Sequence, residues 1–172
     1  MPKIIENLRE KLLDEARKQI KENGYAKTTI RSIAKGCSVG TGTVYNYFPS
    51  KDMLIASFMS EDWKECVAKM KASGSKDPKA LLSLVCGSLV SFIKGHSYLI
   101  TDKDAGASFS SAYSIYHGRM RQQIADILSP MCEANGKDDP FFSEFIAESI
   151  LKWTSEGKSF EEQYSVLKLL FD

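Results

Sequence analysis

Apolar side chains recur at every third or fourth position along most of this chain, and nowhere do they alternate with polar ones as in a half-buried strand. Leu8, Leu12, Ala16 and Ile20 repeat every four residues, with Ile5 and Leu13 beside them and Glu, Lys and Arg on the other faces. That spacing predicts an amphipathic helix, closed by Gly24 in "KENGY". A short second helix follows in "TTIRSIAKGC", with Thr28 or Thr29 as N-cap and Ile30, Ile33, Ala34 and Cys37 on one face, until "SVG" breaks the pattern. A third short helix must then occupy roughly 41–47. Pro49-Ser50 ends it and caps a long fourth helix over about 51–72.

Helical signals continue to the end. Asp77-Pro78 reads as N-cap and first-turn proline for "KALLSLVCGSLVSFIKG", which is apolar around most of its circumference and so belongs in a core. Gly95 to Gly106 reads as a turn or short irregular helix, and a further helix over about 110–133 carries Tyr113, Tyr116, Met120, Ile124, Ile127 and Leu128. After Asn135-Gly136, Asp139-Pro140 starts a helix through Trp153, and Gly157 ends it. Ser159 with Glu162 makes a capping box for the last helix, whose stripe is Phe160, Tyr164, Leu167 and Phe171. The pattern predicts an all-α protein of about nine helices.

Composition narrows the class. At 172 residues the chain is long enough to bury a sizeable core. Cys37, Cys66, Cys86 and Cys132 are far apart, with no C-x-x-C pair and no histidine cluster, so they read as reduced, mostly buried thiols of a cytoplasmic protein, with no metal and no cofactor expected. No stretch approaches the ~20 apolar residues of a membrane span, and no membrane partner is expected. Charge is uneven: residues 1–60 hold ten Lys or Arg against six Asp or Glu, the remainder thirteen against sixteen. An excess this mild matters only if a motif falls in the basic part.

One does. A short helix, a turn of about four residues and a second short helix form the geometry of a helix-turn-helix, whose second helix enters the DNA major groove. The second helix here lies in "VGTGTVYNYFPSK", residues 39–51. Gly40, Thr41, Gly42 and Thr43 keep its N-terminus small enough for close approach to phosphate. Thr41, Thr43 and Asn46 offer short donors and acceptors to base edges, Tyr45 and Tyr47 offer hydroxyls to phosphates, and Lys51 adds a charge. Val44 and Phe48, four apart, face inward. Pattern alone leaves open that this is a plain connector.

The run "TTIRSIAKGCSVGTGTVYNYFPSKDMLIASF", preceded by a helix ending in "NGY", closely resembles the N-terminal DNA-binding domain of the tetracycline-repressor (TetR) family of bacterial transcriptional regulators. The likeness covers residues 5 to about 60, and its core is V-x-x-G-T-V-Y-x-Y-F-x-S-K. It implies a helix-turn-helix domain over 1–50 and a helical regulatory, ligand-binding and dimerisation domain over 51–172. It also implies DNA-contacting roles for Thr29, Arg31, Thr41, Gly42, Thr43, Tyr45, Asn46, Tyr47 and Lys51. Ser38 stands where the family usually has glycine, and Gly40 where it often has serine. The function implied is a repressor bound to a double-stranded, palindromic operator as a homodimer and released by a small, mainly hydrophobic effector. A protein–protein cofactor with the same fold, its DNA binding secondary, is the alternative.

Two further residue sets follow. Apolar stripes on the last two helices, with Phe142, Phe145, Ile146, Ser149 and Trp153 on one and Tyr164, Leu167 and Phe171 on the other, suit half of a four-helix bundle across a twofold axis. "LKWTSEGKSFEEQYSVLKLLF" resembles the C-terminal end of many TetR relatives. Trp63, Phe92, His96, Tyr98, Phe109, Tyr113, Tyr116 and His117 are candidates to line an effector pocket, although core packing accounts for each aromatic as well. An enzyme is not indicated: there is no nucleophile–base pair, and Gly40 and Gly42 lack the G-K-S/T continuation of a phosphate loop.

Overall fold

The computed structural model describes residues 7–171, with the backbone alone described over 110–115; the expectation for Tyr113 as a pocket residue therefore lies outside the described residues. Among the described residues the regular elements are all helical: α1 (Leu8–Asn23), α2 (Ile30–Gly36), α3 (Thr41–Tyr47), α4 (Lys51–Ser73), α5 (Pro78–Gly95), α6 (Ser97–Ile100), α7 (Lys103–Ala134), α8 (Pro140–Ser155) and α9 (Phe160–Leu167), the last continued by a 3-10 turn over Lys168–Leu170. The helices that sequence expects are present. The region expected to be irregular, Gly95–Gly106, holds α6 and the first turn of α7, so α7 starts well before residue 110.

Local chemistry explains the boundaries. Gly24 stops α1 at φ +82°, a backbone that L side chains rarely adopt, and its N–H bonds Ile20 O. Thr29 caps α2 through a reciprocal box with Ser32. Ser50 Oγ accepts from Met53 N–H at 3.1 Å at the head of α4. Asp139 caps α8 ahead of Pro140, and Ser159 with Glu162 forms the box at α9.

The chain divides into two compact units. One unit runs to Asp62 and takes in His96–Ser111; the other comprises Trp63–Gly95 and Ala112–Asp172. The breaks after Asp62 and Ser111 fall inside α4 and α7 and the one after Gly95 at the end of α5, and α4 supplies apolar side chains to each core. In the first unit Leu12, Ile20, Ile33, Val44, Phe48, Leu54, Ile55 and Phe58 pack together, and Leu99 and Ala105 complete that core from a distant stretch of sequence. In the second, Met70 of α4, Leu82 and Leu89 of α5, Ile124, Leu128 and Met131 of α7, Ile146 and Ile150 of α8 and Leu167 of α9 are almost wholly buried together.

By length and composition alone, α5 is apolar enough to cross a membrane, a property the sequence reading did not assign to any segment. Leu81, Leu82, Val85, Cys86 and Leu89 place its apolar face in the core of the second unit. Of the four thiols, Cys86 and Cys132 are buried while Cys37 and Cys66 are only half-buried. Burial pushes the Cys86 and Cys132 thiols up to about 11.

Candidate nucleic-acid interface

The interface builds from α2, the turn after it and α3. Thr29 Oγ1 accepts from Ser32 N–H at 3.0 Å and Ser32 Oγ accepts from Thr29 N–H at 3.0 Å. Ser32 Oγ also donates to Gln19 Oε1 at 2.6 Å, and Gln19 Nε2 donates to Ser32 O at 3.1 Å and to Glu15 Oε1 at 2.6 Å. The α1 surface thereby fixes the head of α2, where Arg31 stands exposed. Of the two N-caps that the sequence offers, Thr28 and Thr29, it is Thr29 that caps α2.

Ser38 lies in the turn at φ +57°, the left-handed region that a glycine would enter without strain. The turn closes through Ser38 N–H to Lys35 O at 3.1 Å and Val39 N–H to Ala34 O at 2.9 Å. Gly40 then acts as the N-cap of α3 in extended backbone, with no side chain to bond the first turn. That leaves the N–H groups at the head of α3 without a side-chain cap.

The two faces of α3 separate cleanly. Val44 is wholly buried and Phe48 nearly so, which anchors the helix against α1, α2 and α4. Thr41, Gly42, Tyr45, Asn46 and Tyr47 are exposed and Thr43 is half-buried; Tyr45 and Tyr47 expose 54% and 46% of their surface, a large amount for aromatic rings. Hydroxyl, amide and small side chains thus share one outward strip, as groove reading requires.

Lys51 is held at the head of α4: its Nζ donates to Tyr25 O at 2.8 Å and lies 3.5 Å from the centre of the Tyr25 ring. Desolvation pulls the Lys51 pKa below the ordinary lysine value, while Asp52, Asp102 and Asp104 oppose that pull. Tyr25, Gln19, Ser32, Asp102 and Ser108 are residues that sequence reasoning missed as supports of this surface. "NGY" and the T-x-x-S spacing were visible signals for two of them, but nothing local links Asp102 or Ser108 to residue 25.

The expected effector residues do not gather in one unit. His96, Tyr98 and Phe109 belong to the first, and Trp63, Phe92, Tyr116 and His117 to the second. His96 is 4% exposed and bonds Asp62 through Nε2 at 2.9 Å, a satisfied interior histidine. Trp63 packs edge-on against Phe92 at 5.4 Å and donates from Nε1 to Gln123 Oε1 at 2.7 Å. Tyr116 is exposed and His117 lies 3.8 Å from Glu148. Two hollows occur elsewhere, one of about 390 Å³ bounded by Lys11, Glu15, Lys18, Gly36, Cys37 and Ser38, and one of about 220 Å³ beside Trp153, Glu162, Gln163 and Val166. Among the described residues no group of three or more His, Cys, Asp or Glu is arranged to hold a metal ion.

Of the expected dimer residues, Ile146 and Leu167 are spent on the core of their own unit, at 0% and 1% exposure. Phe142 and Phe171 pack edge-on at 6.3 Å, and Tyr164 stacks on Phe160 at 5.3 Å. Trp153 and Ser149 are half-buried, with Ser149 Oγ donating to Phe145 O. Phe145 is exposed, and so is Phe141, which the sequence reading did not select.

This arrangement defines a helix-turn-helix protein. Residues 12–58 match the family model of bacterial regulatory proteins of the tetR family. The HTH-type transcriptional regulator UidR of Escherichia coli is 32% identical over 63 residues, which are 37% of this chain and 32% of UidR. The HTH-type transcriptional regulator BetI of Burkholderia thailandensis is 34% identical over 90 residues, 49% of this chain and 46% of BetI. The likeness thus spans about a third to a half of these relatives. Among solved structures, Thermus thermophilus FadR, a TetR-family repressor in complex with lauroyl-CoA, superposes with a TM-score of 0.60 at 22% identity, covering 95% of this chain and 92% of that one. The shared fold extends over both units' worth of sequence.

Proposed function

We propose that this chain is a DNA-binding transcriptional regulator that holds a palindromic operator as a homodimer and leaves it when a small, mainly hydrophobic effector binds. The observation that carries the reading is the division of α3, with Val44 and Phe48 locked in the core and Thr41, Tyr45, Asn46 and Tyr47 turned to solvent. In this reading α3 lies in the major groove, Thr41, Thr43 and Asn46 meet base edges, and Tyr45 and Tyr47 meet phosphates with Thr29, Arg31 and Lys51. Gly42 has no heavy atom within 4 Å of a Cβ placed there, so its value is the close approach it leaves for DNA.

Two copies are needed because one seven-residue helix reads only a few base pairs, and twofold symmetry repeats the reading at a second half-site. The exposed Phe141 and Phe145 of α8, with Trp153, Ser149, Tyr164 and Phe171, support pairing through the last two helices. An effector releases DNA only by binding the non-fitting conformation more tightly than the fitting one. The lauroyl-CoA complex of the structurally similar FadR supports a hydrophobic ligand of that kind. Repression and a cytoplasmic location belong to the same reading.

Sequencing the DNA fragments that the purified chain retains tests the proposal. A recurring palindrome upstream of a gene is the expected result. Retention of random sequence at low salt only, with loss at physiological salt, would overturn it.

A further inference from the structure

Every polar atom of Tyr25 is engaged, and the residue is 6% exposed. Its N–H donates to Asp102 Oδ2 at 3.1 Å. Its hydroxyl donates to the Asp52 carboxylate and lies 2.8 Å from Ser108 Oγ. Its ring meets Phe109 edge-on at 6.3 Å. Asp102 is itself fixed, because its other oxygen accepts from Asp104 N–H at 2.9 Å and Ala105 N–H at 3.1 Å at the head of α7. Three stretches of chain therefore converge on one tyrosine in the turn between α1 and α2, and all of them lie in the first unit.

What Tyr25 offers in return is a seat for a cation. Its carbonyl takes one N–H of the Lys51 ammonium at 2.8 Å, and its ring face lies 3.5 Å beneath. We propose that Tyr25 is a positioning residue for Lys51: ring and carbonyl hold the ammonium at the head of α4 with an N–H left for a phosphate oxygen, and Asp102, Ser108 and Asp52 hold Tyr25. The proposal rests on the reading of Lys51 as a phosphate contact. Its physical content is preorganisation. A free lysine loses rotamer entropy on each productive contact, whereas a seated one has already lost it. The same seat withdraws water from the ammonium, and Asp52, Asp102 and Asp104 keep it charged.

The test uses the full chain with Tyr25→Leu, Tyr25→Phe, Lys51→Ala and the Tyr25→Leu/Lys51→Ala pair, on the palindrome recovered from retained DNA. Lys51→Ala is expected to lower affinity roughly three- to tenfold and the log–log salt slope by about one. Tyr25→Leu should reproduce most of that loss, Tyr25→Phe should restore the slope, and the pair should fall no further than Lys51→Ala. Losses that multiply in the pair would overturn the proposal, since they would show Tyr25 acting only through stability.

A second measurement needs no DNA: the Lys51 side-chain NMR titration should return toward the ordinary lysine value in Tyr25→Leu and not in Tyr25→Phe. An unmoved titration overturns the seat. A moved titration with no effect of Lys51→Ala on DNA overturns the phosphate reading instead, and the proposal with it. If Tyr25→Leu does not fold, Asp102→Ala against Asp104→Ala decides: both remove one charge, but only Asp102 bonds Tyr25. Asp102→Ala must weaken operator binding relative to Asp104→Ala, and equal effects count against the proposal.

Discussion

His96 Nε2 lies 2.9 Å from Asp62 Oδ2, joining the head of α6 to the middle of α4. The other Asp62 oxygen accepts from Arg17 of α1 at 2.5 Å, and the Arg17 guanidinium lies 5.0 Å from the centre of the Phe58 ring. Asp62 is therefore the shared acceptor of two donors from distant parts of the sequence. Asp62→Ala is expected to cost about 1–2 kcal/mol by urea denaturation, at the low end for a charged hydrogen bond because Asp62 and Arg17 are each about a third exposed. Asp62→Asn should cost less, since an amide oxygen still accepts. Faster hydrogen exchange at Leu99 and Ile100 in Asp62→Ala would locate the loss at α6.

The turn before α3 stores strain at Ser38, whose φ of +57° is a glycine's region. Ser38→Gly is expected to raise the melting temperature, because relief of roughly 1–2 kcal/mol of left-handed backbone energy exceeds the ~0.5–1 kcal/mol of added chain entropy. Ser38→Val should lower it. Calorimetry on the three proteins checks the order.

Acid should loosen the Asp102 anchor before it unfolds the chain. Backbone N–H bonds from Ala105 and Tyr25 hold the Asp102 carboxyl below the usual carboxylate range. A depressed folded pKa means the contribution is present above the ordinary aspartate value and is lost as pH falls through the folded value. Glu162 is depressed by its bonds to the Ser159 backbone and hydroxyl, so the head of α9 should follow the same course. Amide chemical shifts of Tyr25, Ala105 and Ser159 recorded on descending pH are expected to move together below the ordinary carboxylate range, while core amides such as Leu128 stay put.

Tyr45 is more than half exposed, which makes Tyr45→Phe a clean deletion of one hydroxyl. Operator affinity should fall roughly three- to tenfold with thermal stability unchanged, the value of one hydrogen bond to phosphate. Gel shifts paired with melting curves read both quantities.

Phe145 tests the pairing of copies. Phe145→Glu places a charge on an exposed aromatic of α8 and is expected to yield monomers by light scattering with the helical content kept, and Phe145→Leu should remain dimeric. Loss of operator binding in the glutamate variant alone would tie DNA binding to the dimer.

Much of this protein was decided locally. Amphipathic spacing, Gly24, the Thr29 and Ser159 caps and the Pro140 start depend on a few neighbouring residues, so helix existence, most boundaries and the outward strip of α3 were legible in the chain itself. Tertiary structure decided what depends on residues far apart. Asp102 and Ser108 reach Tyr25 across 77 and 83 positions, so no local pattern announces the contacts that hold Tyr25 where it bonds Lys51. His96–Ser111 joins the first unit because Leu99 and Ala105 complete its core, which no local pattern announces. Periodicity shows that Ile146 and Leu167 are apolar on one face, but only packing shows that face turned inward while Phe141 and Phe145 face solvent. Side-chain spacing is a property of one helix, whereas burial and partnership belong to the surfaces that helices press against one another.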